Sequence, residues 1–212
     1  LRERLPVIAR RHEITGQVFT HQYLWNCATT LLAQLETKSS KDMYYQMAGM
    51  VMAYFTFEAY LNFVGSSVEP TAWKDERDFF SKGQYRGTQG KLKLLCEKYQ
   101  IKVDRDKRPY LTVREAGWLR DYLAHGKPEL YALEVDVEEG KDPDMFAGLK
   151  IYDLVTREKA GRTLQDTEKF IEYLHTELAA RRKRPNPYDV TFVGRALNFP
   201  LASASGSTQH PR

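Results

Sequence analysis

Apolar residues recur along most of this chain at intervals of three and four, the spacing of helices that bury one face. A first helix is expected from Thr15 to Leu35. There Phe19, Tyr23, Cys27, Leu31 and Leu35 repeat every fourth residue, and Leu24, Ala28 and Leu32 widen the stripe. Glu36 to Ser40 is a polar break. A second helix is predicted from Asp42 to Phe63, with a wide apolar face (Met47, Val51, Tyr54, Phe55, Leu61) that suits a central position. Gly65 and Pro70 are read as its stop signals. Shorter helices follow over Ala72–Phe80 and over Lys91–Tyr99, the latter with Leu92, Leu95 and Tyr99 on one side.

Thr112 and Glu115 have the spacing of a capping box, which predicts a helix from Val113. Gly117 in its interior costs about 1 kcal/mol against Ala, and close approach of another helix is the expected compensation. Gly126 and Pro128 end this helix and leave His125 in its last turn. Beyond it, LEVDVEEG and GLKIYDLV alternate with period two around the turn-rich KDPDMFA, which predicts a β-hairpin from about Leu133 to Val155. A final helix is expected from Thr163, with Leu164, Phe170, Ile171, Leu174 and Leu178 as its stripe and Arg181–Arg184 at its end. The expected fold is mainly α, an antiparallel helical bundle with a small β-hairpin insertion before the last helix. It occupies residues 1–187, and 188–212 form a C-terminal extension. The RPNPYD segment is a Pro-rich break, and the small polar residues from about Leu201 read as a disordered tail.

Composition narrows the class. With 42% hydrophobic and 28% charged residues the chain is neither fibrous nor disordered. No run approaches the roughly 20 apolar residues of a membrane span, and LRERLPVIARRHEI lacks an apolar signal region, so a cytoplasmic protein is expected. Cys27 and Cys96 sit in apolar patterns and read as buried free thiols. They lack metal-ligand spacing, and no cofactor is expected. The net charge of +4 permits nucleic-acid binding without arguing for it. The basic run at Arg181 reads first as charge complementing a helix C-terminus, and second as phosphate contact. A DNA-binding regulator has little support, because no helix-turn-helix pattern is present.

One constellation carries chemistry. In WLRDYLAHGK, four residues separate Arg120 from His125, Asp121 follows the Arg, and Gly126 follows the His. The helix containing KLKLLCEKY precedes it, and FEAYLNFVG places Glu58 four residues before Asn62 on the second helix. This arrangement resembles the HEPN superfamily of small helical domains, whose motif is Arg, four to six residues, then His. The resemblance runs from about Thr15 to Lys183, and the hairpin has no counterpart in it. It implies a homodimer and, in catalytic members, metal-independent RNA cleavage, in settings such as toxins, antiviral defence or stress. RNA is then the substrate, and an antitoxin or other protein is a further partner.

The motif also has its own geometry. Asp121 and His125 share a face, whereas Arg120 lies about 140° from His125 around the axis. A composite site is therefore natural, with two copies of the helix bringing both motifs to one groove. The helix dipole and Asp121 favour the imidazolium of His125, which suits general base and acid work. Arg120 offers a forked charge for a phosphorane-like transition state. The expected catalytic set is Arg120, His125 and Asp121, supported by Glu58 and Asn62, with Lys127 and Arg114 contacting RNA. A plainer reading stands beside it, in which His125 caps a helix turn and Arg120 pairs with a surface acid; a separate alternative is a catalytically silent HEPN module that binds protein or RNA. Glu58 either pairs with Arg120 or is a boundary residue bonded to solvent and Asn62. Trp118, Tyr122 and Tyr44–Tyr45 read as core or dimer interface before base-stacking platforms.

Overall fold

The computed structural model of the protein describes residues 19–36, 42–128 and 149–181. The first hairpin arm, Arg182–Arg184, the Pro-rich break and the tail lie outside the described residues.

The described residues are mainly helical and contain no strand. The elements are α1 (Thr20–Ala33), α2 (Asp42–Val68), α3 (Pro70–Lys74), α4 (Glu76–Phe79), α5 (Gly87–Tyr99), α6 (Tyr110–Ala124), α7 (Lys150–Leu154) and α8 (Arg157–Arg181). Among them no helix is long and apolar enough to cross a membrane.

Helix α2 is central and packs against α1, α3, α5, α6 and α8. Contacts at both ends fix the directions. Phe19 meets Phe63 while Leu32 meets Gly49, so α1 runs antiparallel to α2. Tyr110 meets Phe170 at one end of the bundle, and Leu119 shares a cluster with Ala160 at the other, so α6 and α8 are antiparallel. Phe57 contacts Phe170, and Tyr60 contacts His175, which makes α8 run with α2. The larger core gathers Phe57, Tyr60, Leu61, Val113, Phe170 and Ile171. The smaller one holds Met50, Leu119, Val155 and Ala160.

Several expectations change. On α1 the buried residues are His21, Gln22, Trp25 and Ala28, while Tyr23 is 61% exposed. Cys27 is exposed and Cys96 half-buried; both are free. The cause is rotation: a strict four-residue repeat drifts about 40° per step, so Tyr23 and Cys27 turn off the buried face, while Phe19 packs on Phe63 and Leu35 is buried. Burial pushes the Cys96 thiol up to about 11. Gly65 does not stop α2, which continues to Val68. A Cβ there would lie 2.1 Å from Trp73 Cζ2, so the glycine admits α3. The helix expected over Ala72–Phe80 breaks at Asp75.

Thr112 caps nothing. Helix α6 begins at Tyr110, and the buried Thr112 hydroxyl donates 2.6 Å to the Asp166 carboxylate of α8. Arg108 grips the same carboxylate with Nε at 2.6 Å and one Nη at 3.0 Å. Asp166 is nearly inaccessible. Burial alone would raise its pKa, but the bonds from Arg108 and Thr112 hold it below the usual carboxylate value. The second hairpin arm is also corrected. Its IYDL forms most of α7, and α8 begins at Arg157, six residues before Thr163. In the arm, Ile151 and Leu154 stand three apart and both pack on the smaller core, a helical spacing.

Candidate functional site

Helix α6 presents two faces. Val113, Ala116 and Leu119 enter the bundle, and Gly117 admits α2 as expected: a Cβ on it would stand 2.7 Å from the Tyr54 ring. Trp118 is 58% exposed, and Leu123 also reaches the surface. Tyr122 is half-buried. The core reading of Trp118 therefore fails within this chain, and so does that of Tyr44, which is 64% exposed. Tyr45 is half-buried.

Arg120 turns back toward α2. One Nη donates 3.0 Å to Glu58, whose same oxygen accepts the Thr88 hydroxyl at the start of α5. The other Nη stands 2.8 Å from Asp121, and the guanidinium lies 5.4 Å from the Tyr54 ring centroid. Burial works against this charge, but Glu58 and Asp121 more than offset it, so the Arg120 pKa is raised. Of the two expectations for Glu58, the pairing with Arg120 holds. The Arg120 and Glu58 side chains are only 28% and 25% exposed, so this is a boundary ion pair held by a third group.

His125 follows the last residue of α6 and is exposed, and its backbone N–H donates 3.0 Å to the Asp121 carbonyl. The expectation that the Asp121 carboxylate serves His125 changes, because that carboxylate faces the adjacent guanidinium. Asn62 is drawn away from the motif. Its side-chain oxygen accepts from Lys91 Nζ at 2.7 Å and from the Trp73 indole at 3.3 Å, so its role is to tie α2 to α3 and α5. Arg114 stacks 5.1 Å from the Trp118 ring centroid. Lys127 is exposed just past His125.

Three participants went unseen in the sequence. Tyr54 seats Arg120, Thr88 orients Glu58, and Lys150 of α7 places its amine 5.2 Å from the Tyr122 ring, near the turn that carries His125. Only Tyr54 had a signal, since Gly117 implied the close approach of another helix and Tyr54 lies on the apolar face predicted for the second. Thr88 and Lys150 come close only through the tertiary fold. No family model, no curated protein and no solved structure matches this chain, so the HEPN resemblance stands on the motif residues themselves.

Proposed function

We propose that the chain is a metal-independent endoribonuclease of HEPN type. The observation that carries this reading is the contrast along one helix end: Arg120 is held in place by Glu58, while His125, five residues on, stands exposed at the helix terminus. His125 takes the proton of a ribose 2′-OH, the 2′-oxygen attacks the adjacent phosphorus, and the bond to the 5′-oxygen breaks. The leaving 5′-oxygen takes a proton from solvent water, His125 returns its own proton to solvent, and a 2′,3′-cyclic phosphate remains. Arg120 neutralises charge on the phosphoryl oxygens. Its bridge to Asp121 is open to solvent on the Asp121 side, where the side chain is 59% exposed. Such a bridge is worth at most about 1 kcal/mol, so an incoming phosphate can displace it. Glu58 stays behind to orient the guanidinium.

A second copy of α6, packed on the face of Trp118 and Leu123, completes the site in this reading. The exposed Trp118 also favours the second reading, a silent HEPN module that uses this face to bind a protein partner. RNA incubated with wild-type, Arg120→Ala and His125→Ala proteins separates the two. Cleavage by wild type alone supports the nuclease. If no RNA is cut, relief of growth toxicity by His125→Ala keeps the nuclease with a narrow substrate, and absence of toxicity leaves the binding module.

A further inference from the structure

A cavity of about 350 Å³ lies between the 102–109 segment, the start of α6 and the middle of α8. Its volume is at the small end of ligand pockets. Phe170 and Tyr110, both buried, line it with their rings 5.4 Å apart and edge to face. Val103 and Pro109 add apolar wall, and Tyr173 closes one side. The Tyr173 hydroxyl donates 2.6 Å to the Lys102 carbonyl, which fastens the segment to α8 and fixes the shape of the cavity.

The charged residues that line it are not balanced. Lys102 and Lys169 are exposed, and among the described residues neither forms a salt bridge, although the Lys169 charge also acts on Asp166 and Glu168. Arg108 spends Nε and one Nη on Asp166 and its charge also feels Glu158, while its other Nη makes no hydrogen bond among the described residues. The one acid in the lining, Asp104, is already engaged: Lys107 stands 3.3 Å from it, and it accepts the Asp106 N–H. An apolar, aromatic interior beside two exposed ammonium groups outside any salt bridge and a half-occupied guanidinium fits a ring that carries two negative charges. We propose that this cavity binds a small aromatic phosphomonoester. The site lies at the N-terminal end of α6, away from the C-terminal end that carries His125, and does not depend on the nuclease reading.

The test is calorimetric titration with phenyl phosphate and with each nucleoside 5′-monophosphate, beside inorganic phosphate and phenol. The expected result is saturable binding of an aromatic phosphate at least tenfold tighter than of either half alone. Whether phenyl phosphate or a nucleotide binds tighter identifies which source of the shared chemistry the cavity takes. Lys102→Glu with Lys169→Glu should weaken binding at least tenfold with unchanged unliganded melting temperature. If that protein fails to fold, Lys102→Ala with Lys169→Ala should still weaken binding several-fold. NMR shifts on titration should centre on Tyr173 and Phe170. No binding, equal affinity for inorganic phosphate, insensitivity to the lysine variants, or shifts centred on His125 would each overturn the proposal.

Discussion

Replacing Gly117 by alanine tests how Arg120 is seated. An added Cβ would meet Tyr54 Cε2 at 2.7 Å and Cζ at 2.9 Å. Ordinary contact begins at 3.4 Å, so the ring must withdraw by about 0.7 Å. Tyr54 is 4% exposed and packs beside Phe57, so it has little room. Overpacking of this kind costs about 1–3 kcal/mol. Alanine returns about 1 kcal/mol of helix propensity. The expected net loss is about 1 kcal/mol, a fall of about 2–4 °C in Tm for a chain of this size. Gly161→Ala is the matched control, because it lies in α8 with nothing within 4 Å of its added Cβ. It should gain up to about 1 kcal/mol. Urea denaturation of the three proteins, with a common m-value, measures both changes. Because the Arg120 guanidinium rests on the Tyr54 ring, Gly117→Ala should also lower RNA cleavage while Gly161→Ala leaves it unchanged. If Gly117→Ala stabilises as much as Gly161→Ala, Tyr54 does not fill that notch and the proposed seat for Arg120 is wrong.

Other expectations follow from named contacts. His21, 2% exposed and packed on Phe63, has its pKa lowered from 6.5 to about 4, first by burial and then by His175. The unfolded chain takes up this proton first as pH falls, so stability present above pH 6.5 should be lost between 6.5 and about 4. The loss is about 3 kcal/mol at most; His21→Phe should flatten that part of the curve in urea melts, and an unchanged slope would refute the assignment. Glu58→Gln should leave the guanidinium less firmly oriented and reduce cleavage, and Arg120→Lys should rescue Arg120→Ala only in part, since lysine lacks the fork. Full activity in Arg120→Lys would remove the geometric role. Trp118→Glu should shift a dimer to monomer in sedimentation, and a wild-type protein that stays monomeric at high concentration would contradict the shared groove.

The helices were legible where the apolar repeat followed the true helical period. On α8, Phe170, Ile171, Leu174 and Leu178 read correctly as buried. On α1 the four-residue repeat left the buried face at Tyr23 and Cys27, while polar His21, packed on Phe63, and Gln22 are buried. Thr112 looked like a cap until its hydroxyl found Asp166, 54 residues away. A local motif cannot reveal such a partner, and the same is true of Thr88 on Glu58. The Gly117 notch was legible because a mid-helix glycine carries a cost that close packing offsets. The motif Arg120–His125 was visible as a spacing, but the direction of each side chain depended on what the fold set beside it.

The central claim is that Arg120 and His125 cut RNA by 2′-OH attack. It is tested most directly by the chemical ends of products formed in EDTA by wild-type and His125→Ala proteins. Wild type should leave 2′,3′-cyclic phosphate and 5′-OH ends, and His125→Ala should leave intact RNA while retaining the wild-type helical spectrum and Tm. Products with 3′-OH and 5′-phosphate ends, or cleavage by His125→Ala at the wild-type rate, would contradict the mechanism.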